Sequence, residues 1–204
     1  MEAHIQKCAR AVQARDGRAL AALLDVGPRD ALAAQLGARA ADVGSLCARA
    51  LPEPFDELVA CRLRAVGACV GRDYAEAFAQ QDACLAAFQA GFQESGADWL
   101  LPLLQVVDRA IRQLALHADA QLRAKGEKAD RLSEAARILN KNFTITITDR
   151  APIESSKKWG ALAVINELFK VYFKMNNLRL CTNLIRAVDG TGFPPFDEFP
   201  MAQK

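Results

Sequence analysis

The chain has 204 residues, 51% of them hydrophobic, with 26 basic and 24 acidic side chains and a net charge of +2. A sizeable core is therefore possible in one large domain or two small ones. The longest strongly apolar run, Trp99 to Val107, is far short of the roughly 18–20 residues that span a bilayer, and Glu2, Lys7 and Arg10 break up any secretory leader. Alanine is abundant and β-branched residues are sparse in the first two thirds, a mixture that favours helix.

In chain order, residues 3–15 read as a helix that Asp16-Gly17 breaks, and Arg18 to Leu24 as a short second one ended by Gly27-Pro28. The alanine-rich residues 29–50 are expected to be helical despite Gly37 and Gly44. Pro52-Glu53-Pro54 marks a boundary, with Pro54 suited to the first helical position because its missing N–H costs nothing there. Phe55, Leu58, Val59, Val66, Cys69 and Val70 then recur at helical spacing. Gly71-Arg72-Asp73 forms a turn with Asp73 as N-cap, and Tyr74, Phe78, Leu85, Phe88 and Phe92 stripe the next helix up to Gly96. Asp98 is the expected N-cap of a long helix with Pro102 in its first turn, closed by Gly126. Residues 130–141 form another helix.

Phe143-Thr144-Ile145-Thr146-Ile147-Thr148 alternates strictly, as a strand does. A lone strand would leave its backbone unpaired, so the expected outcome is a helix end running into a loop. From 156 to 175 the chain is apolar on almost every side. Trp159, Leu162, Phe169 and Phe173 make one stripe, and Val164, Ile165, Leu168, Tyr172 and Met175 another, which predicts burial between neighbours. The last helix carries Leu178, Cys181, Leu184, Ile185 and Val188 on one side and stops at Gly190, Gly192 and Pro194-Pro195. Apolar helices joined by short polar turns, as at Gly71–Tyr74 and Met175–Leu178, predict an all-α, tetratricopeptide-like solenoid of helical hairpins. Its parts are an N-terminal region 1–50, an arm over 51–190 and a connector over 191–204.

Catalytic patterns are missing. Neither glycine-rich phosphate loop occurs, nor does G-x-S-x-G. His117 beside Asp119 has no nucleophile, and Asp56 and Glu57 are adjacent, so on a helix they face apart. Six cysteines without a C-x-x-C pair, and only two histidines, give no zinc set. The expectation is a non-enzymatic protein without cofactor, metal or small-molecule substrate, in a reduced compartment. Residues 1–100 hold 10 basic and 13 acidic groups, and residues 101–204 hold 16 and 11. The basic residues Arg123, Lys125, Lys128, Arg131, Arg150, Lys157 and Lys158 lie in that second half and are expected to face solvent. Lysine and arginine on one surface are what phosphate contacts need, so RNA or DNA is a candidate partner. Solvated helix faces are the plainer alternative. Trp159 and Tyr172 could stack bases, but their apolar helix points to core packing.

The run Ser155-Ser156-Lys157-Lys158-Trp159-Gly160, then Val164 to Lys174, then Leu178 to Asp189 with Leu184-Ile185-Arg186-Ala187, resembles the PCI-domain proteins of the transcription-coupled mRNA export complex, also known as signalosome-subunit-12-like proteins. Pro52 to Glu57, Gly71 to Tyr74 and Asp98 to Leu122 agree with it. Within the recognised motif, Trp159, Phe169, Tyr172, Phe173, Leu184 and Ile185 are expected to form the core. The resemblance implies a helical arm leading to a winged helix, an element that this chain, a fragment or truncated arm stopping at Lys204, is expected to lack. It implies a non-enzymatic nuclear scaffold associated with the nuclear pore and also present in the cytoplasm. The implied partners are a larger PCI-type export scaffold subunit and a small acidic proteasome-associated peptide, with nucleic acid held by paired winged helices. A signalosome- or proteasome-lid-like assembly is the alternative setting.

Overall fold

A computed structural model describes residues 1–27, 30–189, 194–195 and 198–199. The described residues form α-helices and short 3-10 turns without a strand. The helices are α1 (Glu2–Gln13), α2 (Gly17–Leu24), α3 (Ala31–Ala50), α4 (Phe55–Val70), α5 (Tyr74–Gln93), α6 (Leu101–Ala124), α7 (Arg131–Ile147), α8 (Ala161–Lys174) and α9 (Leu178–Asp189). From α3 onward each helix packs on the next, and α5 also meets α7 as α6 meets α8. Those neighbour-but-one contacts are how stacked hairpins bury faces that no single hairpin can cover. The α1–α2 pair folds back, with α1 on α3 and α2 on α6. One buried apolar cluster runs from Ile5 to Leu184.

Local chemistry explains the boundaries. Asp16 and Asp73 each cap a helix by accepting from the backbone N–H three residues on, Ala19 at 2.9 Å and Glu76 at 3.1 Å. Gln121 reinforces the start of α5 from α6, accepting from the N–H groups of Tyr74 and Ala75 and donating to the Arg72 carbonyl. Asp119, also on α6, accepts from Arg131 N at 2.8 Å and Leu132 N at 3.2 Å and so starts α7. Pro54 is the N-cap of α4 rather than its first helical residue. Asp98 is not an N-cap either. It sits in a 3-10 turn, Ala97–Leu100, and α6 begins after Leu100 with Pro102 in its first turn.

The threonine-rich segment is a helix end, as expected, but the helix runs further than residue 141: α7 continues to Ile147 before the chain turns at Thr148. Its buried residues, Leu139, Asn142, Phe143 and Thr146, are spaced as one helix face. The threonine hydroxyls stay inside the helix by donating back to its own carbonyls, Thr144 to Asn140, Thr146 to Phe143 and Thr148 to Thr144.

A buried polar chain ties α5, α6 and α7 together. Gln89 donates to Asn142 Oδ1 at 2.7 Å, and Asn142 donates to Asp108 Oδ1 at 2.5 Å. Asp108 is 1% exposed and its other oxygen has no partner. Burial pushes its pKa well above the ordinary carboxylate range, assisted by the charge of Glu167 and opposed by the Asn142 bond. The folded state therefore holds a proton that the unfolded chain has released, and stability falls as pH rises above the ordinary carboxylate range. Asp108→Asn has no proton to lose. Urea unfolding from pH 5 to pH 7 should show the wild type losing stability relative to this variant, by up to about 1.4 kcal/mol per pH unit. Parallel profiles would refute the protonated assignment.

Candidate functional site

The most recognisable stretch of the sequence is a joint. Asp149, just after α7, accepts from Ser156 Oγ at 3.0 Å and from Lys157 N at 2.7 Å. Burial raises the Asp149 pKa, but these bonds and the Lys157 charge outweigh it and hold the group below its usual range. Ser156 then caps a 3-10 turn, Lys157–Gly160, by accepting from Lys158 N. Trp159 Nε1 donates to the Ile153 carbonyl at 2.6 Å. Gly160 packs closely on α6: a Cβ there would lie 2.6 Å from Leu101 Cδ2 and 2.7 Å from Leu104 Cδ2, so those leucine side chains would have to move.

Lys157 is not solvent-facing. It is buried, its Nζ donates to the Glu94 carbonyl at 2.8 Å beyond the end of α5, and the ammonium sits 5.6 Å from the Phe92 ring centre. A cation at a helix C-terminus and over an aromatic face is stabilised by both. Lys158 is half-buried. Arg150 is exposed beside the joint, lining a shallow pocket with Lys157. Arg123, Lys125, Lys128 and Arg131 lie at the far end, where α6 ends and α7 begins. Arg123 is 3.7 Å from Asp119, Lys128 is 2.6 Å from Asp130, and Arg131 forms a two-toothed pair with Glu134 at 2.8 Å while its guanidinium covers Phe78. Lys125 is exposed. Leu104 touches the joint and Asp119 touches Arg131. The stretch of α6 between them spans about 22 Å at 1.5 Å per residue. The structure therefore does not gather Arg123, Lys125, Lys128 and Arg131 with Lys157 and Lys158, and carboxylates offset most of the first group.

α8 is buried on one side only. Val164, Ile165, Leu168, Val171 and Tyr172 face the core, and Tyr172 Oη accepts from Asn140 Nδ2 at 2.7 Å. Glu167, also buried, is paired by Arg112 of α6 and by Lys170 at 2.5 Å. Burial opposes its charge, but the two cations prevail and keep its pKa below normal. The opposite stripe departs from expectation. Trp159 and Phe169 are half-buried, and Phe173 is 61% exposed. On α9, Cys181 and Leu184 are buried, whereas Ile185 and Leu178 are each 55% exposed. Leu178 and Ile185 are seven residues apart and share a face. Phe169 and Phe173 pair at 6.3 Å on α8. Periodicity marked these residues as apolar-face positions correctly; what it lacked was a neighbour to cover them. Large apolar side chains are thus left exposed on both α8 and α9.

Other chemistry is thin among the described residues. No group of three or more His, Cys, Asp or Glu side chains could hold a metal, and no helix is long and apolar enough to cross a membrane. Burial raises the thiols of Cys8, Cys61 and Cys84 to about 12 and that of Cys47 to about 11, which disfavours the reactive thiolate at these four. Two residues escaped the sequence patterns, Arg62 and Asp149. Each acts by bonding backbone groups of another element, which leaves no periodic trace.

The fold and this open apolar edge define an all-α helical-hairpin protein of the scaffold kind. No family model matches the chain. It is 40% identical to PCI domain-containing protein 2 of Xenopus laevis over 162 residues, 78% of this chain and 40% of the relative. It is 34% identical to the PCI domain-containing protein 2 homolog of Dictyostelium discoideum over 171 residues, 81% of the chain and 40% of that protein. The CSN12 homolog of Neurospora crassa is 33% identical over 59% of the chain and 31% of its own length. The chain is thus a homologue of PCI-domain proteins, and it spans about 40% of the length of the PCI domain-containing protein 2 relatives it matches.

Proposed function

We propose that the chain is the helical arm of a non-enzymatic scaffold subunit in a nuclear PCI-containing complex that couples transcription to mRNA export. The observation that carries this is the set of exposed apolar side chains Phe173, Leu178 and Ile185 on the last described hairpin, within the segment whose sequence carries the resemblance. Stacked hairpins cover such a face with another helical element. The partners we propose are a larger PCI-type scaffold subunit and a small acidic proteasome-associated peptide, at the nuclear pore. The CSN12 homologs among the relatives favour a second setting, a signalosome-like assembly.

Affinity purification of the protein from cells, read by mass spectrometry, tests this. Export-complex subunits should co-purify, and Phe173→Asp with Ile185→Asp should lower their recovery at least tenfold while circular dichroism stays helical. Recovery of signalosome or proteasome-lid subunits instead would transfer the protein to the second setting. Full recovery with the double variant would remove the stripe as the contact.

A further inference from the structure

A buried cation lines a pocket bounded by the end of α2, by α4, by the start of α5 and by α6. The pocket is about 280 Å³, near the lower end of the roughly 300–1,000 Å³ typical of ligand sites. Arg62, Val66, Ala110 and Leu114 line it as buried residues, and Asp25 and His117 as exposed ones. The half-buried Tyr74 ring stacks on the His117 ring at 5.0 Å, and both face the same space.

Arg62 is the unusual member. It is 7% exposed, and burial disfavours its charge. A guanidinium carries five N–H groups. Three are used: Nε donates to the Leu24 carbonyl, Nη2 to the Val26 carbonyl and Nη1 to Gln81 Oε1. Five less three leaves two donors, one on each terminal nitrogen. All three acceptors are neutral. Buried charges are ordinarily paired, so a lone one at a cavity wall is short of an anion. Asp25 does not supply it, because both its oxygens are held by Arg109 Nη2 at 2.8 Å.

The two remaining donors can each bond a carboxylate oxygen. A single cation beside a carboxylate that is already present suits a monoanion better than a doubly charged phosphate. Val66, Leu114 and the ring pair suit a flat, apolar body. We propose that this pocket binds a small organic monocarboxylate, whose carboxylate accepts from Arg62 and whose body lies along Val66, Leu114 and the Tyr74–His117 rings. Arg62 also closes the end of α2, so the ligand ties α2 to α4 and α6. None of Phe173, Leu178 and Ile185 lines the pocket, so the site is independent of the scaffold contact.

Benzoate is the probe, with benzamide as its uncharged analogue and inorganic phosphate as the multiply charged anion. Nitrogen-15 NMR of the whole chain reads binding at Arg62 Nε–H and at the backbone amides of Val26, Gly27 and His117. Benzoate should shift these signals saturably with a Kd on the order of 1 mM, as expected for about nine non-hydrogen atoms. Benzamide should need roughly tenfold more, since it brings no charge to the guanidinium. Phosphate should give no saturable shift there. Asp25→Asn removes a nearby carboxylate and releases Arg109, so it should tighten benzoate about threefold. A merely structural Arg62 predicts no tightening. Arg62→Met, where it stays folded, should abolish the benzoate response. Four results each overturn the proposal: no saturation by benzoate at about thirty times the expected Kd, equal binding of benzamide, tighter binding of phosphate, or a benzoate affinity unchanged in Asp25→Asn. A folded Arg62→Met that keeps the response overturns it too. If Arg62→Met unfolds, the benzamide and Asp25→Asn results decide. The scaffold function rests on other residues and survives each of these failures.

Discussion

Replacing Gly17 by alanine should destabilise the protein by about 3 kcal/mol, although alanine is the better helix former by up to about 1 kcal/mol. Gly17 opens α2 where that helix meets the backbone of the 3-10 turn before α6. A Cβ there would lie 1.6 Å from the Trp99 carbonyl oxygen and 2.8 Å from its carbon. These are backbone atoms and cannot rotate aside, so α2 must move off α6. The steric cost exceeds the propensity gain severalfold. For a chain of this size the expected fall in Tm is on the order of 10 °C. Thermal unfolding followed by circular dichroism checks it, and a Tm within about 2 °C of the wild type would show that α2 is free to shift. Tryptophan emission should change as well, since Trp99 is the point of contact.

Arg62→Met should cost about 2–3 kcal/mol, and Arg62→Lys nearly as much. Arg62 is 7% exposed and has no carboxylate partner among the described residues. Its Nε donates to the Leu24 carbonyl at 3.0 Å, Nη2 to the Val26 carbonyl at 3.2 Å and Nη1 to Gln81 Oε1 at 3.2 Å. Gln81 in turn donates to the Val107 carbonyl. One side chain on α4 thus closes the C-terminal end of α2 and connects it with α5 and α6. Methionine relieves the desolvation of a charge, which offsets part of the loss. It also leaves three acceptors without their donor, and unsatisfied buried groups cost roughly 1–3 kcal/mol each. The losses outweigh the relief. Lysine has a single ammonium and cannot reproduce the planar fork. Hydrogen exchange should show α2 losing protection before α7 does. Equal protection in both would make the loss global and remove Arg62 as the specific anchor of α2.

Helix order was legible in the sequence wherever a turn residue and an apolar stripe agreed, as at Gly71-Arg72-Asp73 before α5. It was harder to read where a local pattern imitated something else. The alternation after Phe143 records threonine hydroxyls that bond back into their own helix. Lys157 read as a surface charge because its acceptor, the Glu94 carbonyl, lies 63 residues away in sequence. Phe173 and Ile185 read as core because periodicity reports which face of a helix is apolar and says nothing about what covers it. The basic residues looked clustered because sequence distance hides the length of α6. The recognised motif was easy to see for a mechanical reason. It turns the chain between α7 and α8 against the start of α6, with Asp149, Ser156 and Trp159 each holding a backbone or side-chain group of the turn.

The turn between α6 and α7 offers a practical handle. Residues 123–128 are exposed, while Asp119 independently anchors the first backbone groups of α7. Exposed turns whose flanking helices are pinned from elsewhere accept inserted sequence. An epitope or fluorophore spliced after Gly126 would sit at the opposite end of α6 from Leu101 and Pro102 and off the last hairpin. The exposed hairpin could then be assayed with a labelled protein.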